Sequence, residues 1–270
     1  MPILSAFSNY SRPKISILQL EHILLGKEWN YSLCDNFNRV YFVMEGEGQI
    51  FVENETIPIC PNMIYIVPAM LPFRCQCEHS LEKVFVHFKC NVLPNRDILS
   101  NLDHVVQIPC TKEDMEDLKA TLYEGGIYST LKFRIQLEKI ILDLVKPLEE
   151  AFAHDYLLYR KFESFFSYTN SHLYANLTID EICANIGMTP RQLSYQYKAA
   201  TGHSVKSYLN TLLLERIQYL LLTTDRSLQD ISTELRFNNE FYCSRFFKKG
   251  AGVSPREYRK IHARHTKMNP

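Results

Sequence analysis

The chain has 270 residues, 46% of them hydrophobic, and balances 30 Lys and Arg against 30 Asp and Glu. This length favours two domains. No stretch approaches the length of a membrane span, and residues 1–10 lack the basic start and long apolar run of a secretory signal, so we expect a cytoplasmic protein.

Short apolar runs broken by Gly and Pro occupy residues 39–89. The runs begin at Arg39, Gln49, Met63 and Lys83, with turns at Gly46-Glu-Gly48 and Pro61-Asn62. Several short strands with this punctuation predict a sandwich or a small barrel. The two turns, with the Ile66-Val67-Pro68 strand end, resemble a cupin barrel.

Cupin enzymes usually hold a metal through a His-x-His pair, a Glu and a later His. The histidines of this region are scattered and include no His-x-His pair, so we expect neither a metal nor another cofactor: His22, His79, His87 and His104. A barrel of this size could still hold one small ligand. The candidate ligand-binding residues are Trp29, Arg39, Tyr41, Tyr65 and His87. Trp29 could stack on a sugar ring, although an isolated aromatic is more often ordinary packing and a histidine on an apolar strand is more often a satisfied core or pocket residue.

Eight cysteines occur at positions 34, 60, 75, 77, 90, 110, 183 and 243, without C-x-x-C or zinc-binding spacing. Reduced thiols are the default interpretation. Cys75-x-Cys77, together with Cys60 and Cys90, leaves a thiol or metal sensor as an alternative.

Three helical stretches are predicted between the barrel and the C-terminal part, at about 112–123, 129–149 and 155–172. Pro147 should stop or kink the second stretch. Its apolar residues suit packing on the barrel or on a second copy of the chain: Leu131, Ile135, Leu137, Leu142, Leu144 and Val145. The likeliest linker between domains is 168–176.

One unit occurs twice in the last hundred residues, first at 179–208 and again at 228–258. The offset between the copies changes from 49 to 50, which predicts one extra residue in the second helix of the second copy. Three sequences predict capping boxes at helix starts: Thr178-x-x-Glu181, Thr189-Pro-x-Gln192 and Ser254-Pro-x-Glu257. Gly187 falls where the tight turn of a helix-turn-helix favours positive φ. A helix at about 207–222 should pack between the two units.

Charge is divided between the two parts of the chain. From His172 onward there are 14 Lys and Arg against 8 Asp and Glu. A basic domain attached to an acidic one is expected when only one part meets phosphate. The alternative is a solvated charged surface.

The segment 178–259 resembles the DNA-binding domain of the AraC/XylS family of bacterial transcription regulators. The resemblance rests on two features, the duplicated unit and the signature residues Gly202, Tyr208, Leu209, Leu220, Leu221, Ile231, Phe237, Tyr242, Ser244, Arg245, Phe247, Lys248, Lys249, Gly252, Val253, Ser254, Pro255, Tyr258 and Arg259. Three positions depart from the family pattern. Arg236 replaces a glycine of the second turn, while Tyr195 and Leu213 each stand where the family usually has an arginine.

In a helix-turn-helix the early residues of the second helix face base edges. This predicts that Arg191, Gln192, Ser194 and Tyr195 contact DNA in the first unit, and Asn239, Glu240, Tyr242 and Arg245 in the second. The resemblance to the family implies Phe241 as a further base-reading position. Asn238 is expected to cap the second recognition helix, and Lys248 and Lys249 to contact phosphates. Arg191 and Arg245 are the best guanine readers, because a guanidinium fork matches the two acceptors of guanine.

The expected fold is α+β multidomain: a cupin-like effector-binding barrel at 1–110, a helical dimerisation and linker segment at 111–172, and a double helix-turn-helix domain at 173–270. The resemblance implies a sequence-specific transcription regulator without enzymatic activity that senses a small molecule, most simply a saccharide. Promoter DNA, a second copy of the chain and RNA polymerase are the implied partners. A constitutive DNA-binding regulator without effector, and a cupin-type enzyme or thiol sensor carrying a DNA domain, are the alternatives.

Overall fold

The structure is a computed structural model that describes residues 14–93, 96–148 and 156–263. The described chain divides into two compact units, one formed by 14–92 and 96–148 and the other by 156–263. The first unit contains the strands and two helices, and the second is entirely helical. The expected fold class, a β-rich N-terminal domain followed by an all-α domain, is confirmed.

The first unit consists of two antiparallel sheets. One has the strand order β1-β8-β3-β6-β10, with β9 added to β8, and the other has the order β2-β7-β4-β5. The strands are β1 (Lys14–Leu25), β2 (Asn30–Leu33), β3 (Asn38–Gly46), β4 (Gly48–Val52), β5 (Glu55–Ile59), β6 (Met63–Val67), β7 (Phe73–Gln76), β8 (Leu81–Leu93), β9 (Arg96–Asp97) and β10 (Val106–Pro109). The strand runs predicted from Arg39, Gln49, Met63 and Lys83 lie in β3, β4, β6 and β8.

Strand register determines which side chains fill the interior. Tyr41 of β3 lies opposite Tyr65 of β6 and Phe85 of β8. Because successive side chains alternate between faces, the odd-numbered residues of these three strands share one face. That face joins Ile50 and Ile57 of the second sheet in one buried cluster, which is the core of the barrel.

Two helices complete the first unit. They are α1 (Lys112–Glu124) and α2 (Gly126–Val145), and α1 contacts β3. Nearly all of β3 is buried on both faces, which requires such a covering layer. α2 ends just before a short 3-10 helix, Lys146–Leu148, so Pro147 stops the helix as expected.

A buried ion pair lies inside the barrel. Arg39 and Asp35 are 2% and 5% exposed, and the guanidinium of Arg39 donates to the Asp35 carboxylate. The rings of Phe37 and Phe73 lie 4.6 and 5.1 Å from the guanidinium carbon. Arg39 is therefore already held by an acid and two rings of the same unit.

The second unit contains the helices α3 (Glu163–Ser171), α4 (Ile179–Ile186), α5 (Pro190–Thr201), α6 (Val205–Thr223), α7 (Leu228–Glu234), α8 (Glu240–Ala251) and α9 (Pro255–Ala263). Residues 156–161, before α3, are also helical. They enclose two separate apolar cores. The first core combines Phe162, Phe165 and Phe166 with residues of α4, α5 and the start of α6. The second combines the end of α6 with α7, α8 and α9.

Arg39→Met should destabilise the first unit strongly, because it leaves the Asp35 carboxylate buried without its cation. The expected loss in the free energy of unfolding is about 3–5 kcal/mol. Trp29, the sole tryptophan of the chain, lies in the barrel core and reports its unfolding by fluorescence in a urea titration.

Two variants serve as controls for this measurement. Arg39→Met/Asp35→Asn should recover most of the loss. Arg74→Met removes an exposed arginine of β7 and should cost less than about 1 kcal/mol. A single Arg39→Met as stable as Arg74→Met would contradict a stabilising role for the pair.

Candidate nucleic-acid interface and effector site

Two helix-turn-helix units are formed, the first by α4 and α5 and the second by α7 and α8. The predicted capping boxes at Thr178 and Thr189 are both present, because each hydroxyl accepts from the amide three residues on. The Ser254 box is also present, with its oxygen accepting from the Glu257 amide at 3.2 Å. A fourth box, Ser227 with Asp230, fixes the start of α7. Local side-chain chemistry therefore sets most helix starts in this unit.

The extra residue of the second copy lies in the turn, so its predicted place in the second helix is wrong. α5 and α8 have 12 residues each. α4 and α7 start 49 residues apart, whereas α5 and α8 start 50 apart. The cap of α8 is accordingly Asn239, whose side chain accepts from the Tyr242 amide at 2.8 Å, and the expected cap at Asn238 is also wrong. Two adjacent asparagines offered the same cap chemistry, and only the backbone decides between them.

Arg236 keeps the positive φ of the glycine that it replaces. Its φ is 54°, close to the 70° of Gly187 in the first turn. A non-glycine residue in this region costs about 1–2 kcal/mol. The Arg236 guanidinium lies 4.6 Å from the Tyr174 ring centroid, and the Asn176 amide donates to the Arg236 carbonyl at 3.4 Å. These contacts offset the strain.

Residues 173–176 thereby join the two helix-turn-helix units. The Ala175 amide donates to the Leu235 carbonyl at 2.8 Å, at the end of α7. The Tyr174 hydroxyl donates to Glu181 in the first turn of α4 at 2.6 Å. The segment that enters the first unit is thus bonded to the turn of the second.

The start of α5 presents a polar and aromatic surface. Arg191, Gln192 and Tyr195 are exposed, Tyr195 to 77%, and Ser194 is half-buried. The Gln192 side chain accepts from the Thr189 amide and hydroxyl at 3.0 Å, so it also closes the capping box. Leu193 and Tyr197 are buried in the first core.

α8 presents the corresponding surface of the second unit. Phe241 and Tyr242 are 71% and 46% exposed, Arg245 is exposed and Glu240 is half-buried. Phe237 and Phe247 are buried in the second core, while Phe246 is half-buried against Phe237. Asn238 accepts from Asn176 at 3.3 Å.

The structural offset of 50 places Arg191 in the position of Phe241, and Tyr195 in the position of Arg245. Each helix therefore offers one arginine and one aromatic ring, one turn apart. The order of the two is reversed between α5 and α8.

Some basic side chains of this unit bond within the unit, and others are exposed without an acidic partner. Arg216 and Arg226 both pair with Glu234, and Arg259 donates to the carbonyls of Leu221, Thr224 and Arg226. Arg259 therefore caps the end of α6, which the sequence did not indicate. Arg191, Arg245 and Lys248 are exposed and pair with no acid among the described residues.

α6 is shared by the two cores. Val205 and Leu209 belong to the first core, whereas Leu213, Ile217, Leu220 and Leu221 belong to the second. Leu213, one of the departures from the family pattern, is 4% exposed. The helix predicted at 207–222 thus packs in both units as expected.

All five candidate ligand-binding residues of the barrel are buried. Trp29, Tyr41 and Tyr65 lie in its core cluster, and Arg39 is paired with Asp35. The Tyr65 hydroxyl donates to the Pro58 carbonyl and accepts from the Cys60 amide, both at 2.9 Å. His87 lies 4.8 Å from the rings of Phe37 and Phe85, and its Nδ1 is 3.1 Å from the Gln19 amide oxygen.

An open cavity of about 620 Å³ lies at one end of the strands and is lined by other residues: Gly46, Glu47, Gly48, Gln49, Pro58, Ile59, Cys60, Pro61, Gln76, Glu78, His79 and Ser80. The sequence did not single out these residues as a cavity, because they come from three separate turns. Lys83 was likewise not among the predicted site residues. It is a buried lysine of β8 that alternates with Leu81 and Phe85. That alternation is a signal from which its inward orientation could have been found.

Neither a metal site nor a membrane span is found in the described ranges. No three His, Cys, Asp or Glu side chains there could hold a metal ion together. No helix of the same ranges is long and apolar enough to cross a membrane. Burial raises the pKa of the Cys75 thiol, and it raises the pKa of the Cys90 thiol to about 12. A reactive thiolate has a lowered pKa instead.

Comparison with known proteins identifies the helical unit. A helix-turn-helix domain family matches residues 182–261. The chain is 24% identical to the helix-turn-helix-type transcriptional regulator YobQ of Bacillus subtilis, covering 83% of this chain and 86% of YobQ. It is 20% identical to the Msm operon regulatory protein of Streptococcus mutans, covering 87% of this chain and 88% of that protein.

A helix-turn-helix-type transcriptional regulator of Staphylococcus aureus is 21% identical over 81% of this chain, which spans only 31% of that longer protein. Among solved structures, ToxT from Vibrio cholerae matches with a TM-score of 0.55 and 14% identity, over 90% of this chain and 98% of ToxT. A fatty-acid-bound form of ToxT matches with the same score and 13% identity, over 93% and 96% of the two chains. At such identities the match shows a shared fold. The helix-turn-helix match and the relatives together show that the C-terminal unit carries an AraC-type helix-turn-helix domain of the kind found in transcription regulators.

Proposed function

We propose that this regulator binds asymmetric promoter sites through both helix-turn-helix units, and that a small molecule in the barrel controls this binding. The observation that carries the proposal is the pair of exposed arginines, Arg191 and Arg245, on two 12-residue helices whose N-termini are each capped by a side-chain oxygen. Functional assignments follow the expected segments, with effector binding in 1–110, dimerisation and linkage in 111–172 and DNA binding in 173–270, except that residues 156–172 pack in the helical unit and belong with the DNA-binding part. No catalytic step is part of the proposal.

Readout of DNA bases is assigned to the exposed residues of α5 and α8. A guanidinium can donate to both O6 and N7 of guanine, and an aromatic ring can contact the thymine methyl group. Because Arg191 precedes Tyr195 whereas Phe241 precedes Arg245, the guanine reader lies at opposite ends of the two surfaces. The two half-sites should therefore differ in sequence.

Phosphate contacts are assigned to the basic end of α8. Lys248 and Lys249 lie in its last turn and are exposed. Such contacts orient a protein on the duplex without reading its sequence. RNA polymerase remains a proposed second partner at the promoter.

Two observations bear on the chemical class of the effector. The cupin-like barrel suits a saccharide, the ligand expected from the sequence. ToxT, which shares the fold, has been solved with an unsaturated fatty acid bound. Carboxylic acids therefore belong beside saccharides in any ligand screen.

A homodimer is proposed from the surface of α2. Tyr128, Leu131, Ile135 and Leu142 are exposed by 51–73% and follow one another at spacings of 3, 4 and 7 residues. This is the pattern of a coiled-coil seam. Phe133, Leu137 and Ile141 are buried, so the helix already packs in its own unit through another face.

Arg245→Ala should relax base preference in one half-site, because it removes the guanine reader of α8. Arg191→Ala should do the same in the other half-site. The expected loss at each cognate base is about 1–3 kcal/mol. Selection from a randomised duplex library, followed by titration of the selected site, measures both preference and affinity.

Lys248→Ala is the matched control for this experiment. It should weaken binding to all sequences alike and reduce the slope of log affinity against log salt by about 1. If Arg245→Ala behaved like Lys248→Ala, the assignment of base readout to α8 would be wrong.

Ile135→Glu should convert the dimer to a monomer, because it places a charge in the middle of the proposed seam. Sedimentation equilibrium measures the change in mass. Lys112→Glu, which alters charge to the same sign on exposed α1, should leave the mass unchanged. Equal masses for wild type and Ile135→Glu would remove α2 as the dimer surface.

A further inference from the structure

Lys83 is an inward-facing residue in the middle of the larger sheet. It lies opposite Val43 of β3 and Ile23 of β1, both of which are buried. Its own exposure is 2%. A lysine in such a position is unusual, because lysine is almost never fully buried unless it is paired.

No acid pairs with Lys83 within the ranges that the structure describes. Its Nζ lies 3.8 Å from the Trp29 ring centroid and 3.5 Å from that of Tyr41. The titratable groups that face it are Arg39, Cys75 and Cys77. Arg39 is neutralised by Asp35, and burial raises the pKa of both thiols, so none of these groups supplies a negative charge.

Lys83 is therefore a buried basic group without an anionic partner among the residues that the structure describes. Burial lowers the pKa of Lys83 to about 7, well below the ordinary value for lysine. Aromatic rings attract a cation but accept none of its three N–H groups as a carboxylate would. An anion bound beside Nζ would satisfy both the charge and these donors.

Trp29 connects Lys83 with the open cavity. A Cβ built on Gly48, which lines the cavity, would lie 3.2 Å from Cζ3 of Trp29. The same indole ring lies against the Lys83 amino group. A shift of this one side chain would therefore connect the cavity to the amino group.

We propose that Lys83 binds the carboxylate of a small monocarboxylic acid whose apolar body packs on the rings of Trp29 and Tyr41. A single positive charge matches a single negative charge, whereas a phosphate dianion would leave net charge buried. The surrounding core is apolar, so the rest of the ligand must be apolar as well. This inference rests on the proposed role of the barrel as an effector domain.

The test uses the full chain, with octanoate as the probe and octanamide as its uncharged match. Trp29 fluorescence follows binding directly, since it is the only tryptophan. Octanoate should bind saturably and octanamide at least tenfold more weakly. Because the carboxylate selects the protonated amine, affinity should fall about 50-fold between pH 7 and pH 9. Calorimetry at pH 8 in two buffers of different ionisation enthalpy should show uptake of about 0.9 proton per site.

Lys83→Met keeps the volume of the side chain and removes its charge. It should retain the circular dichroism spectrum and DNA affinity of the wild type but lose the preference for octanoate over octanamide. Lys112→Met removes a lysine of the same unit whose side chain is 78% exposed, and should bind octanoate as the wild type does. If Lys83→Met does not fold, proton uptake by the wild type decides the question.

Three results would overturn the proposal: equal binding of octanoate and octanamide, an affinity independent of pH, or octanoate binding unchanged in Lys83→Met. DNA binding by the same wild-type sample separates this failure from that of the regulator. Specific DNA binding without an octanoate response would contradict the proposed carboxylate site but not the proposed promoter function. An octanoate response without specific DNA binding would contradict the proposed promoter function but not the proposed carboxylate site.

Discussion

The helical unit depends on α6, a single helix whose apolar residues are shared between two cores. A helix of 19 residues is about 28 Å long, since each residue adds 1.5 Å. Val205 and Leu209 anchor one end in the first core, and Ile217 and Leu221 anchor the other end in the second. Neither helix-turn-helix can therefore turn about α6 without breaking core contacts, and the distance between α5 and α8 is fixed by packing.

Packing of the second core also explains why the backbone strain at Arg236 is tolerated. The turn between α7 and α8 must keep its left-handed residue, because Leu235 before it and Phe237 after it both enter the second core. A glycine would satisfy the backbone alone. Arginine adds the contact with Tyr174, so the side chain that replaces glycine also holds the entering chain segment.

The barrel shows a different balance between polar and apolar groups. Arg39 and Asp35 neutralise each other, whereas Lys83 faces aromatic rings and neutral thiols. A buried charge is tolerated when its partner is present, whereas a buried charge without a partner is strongly destabilising. Lys83 is therefore better explained by binding than by stability.

Much of the fold could be predicted from the sequence because local signals agree with one another. Capping residues and the duplicated pattern located the starts of α4, α5 and α9 within a residue or two. The place of the extra residue was missed, because Asn238 and Asn239 are equally good caps and the choice depends on the conformation of Arg236. The inward position of Lys83 was overlooked because its charge outweighed its alternation with Leu81 and Phe85. The cavity could not be predicted at all, since it is formed by three turns that are distant in sequence.

The aromatic residues of α3 and of the turn before it also determine where a stable DNA-binding fragment can begin. Phe165 and Phe166 contact Tyr197 of α5 and Tyr208 of α6, with ring centroids 5.4–6.4 Å apart. Phe162 lies 5.5 Å from Tyr197 in the same cluster. A fragment that began at Leu173 would expose this whole apolar face and be prone to aggregate. An autonomous fragment must therefore start upstream of Leu158 and Tyr159, which pack against the same core.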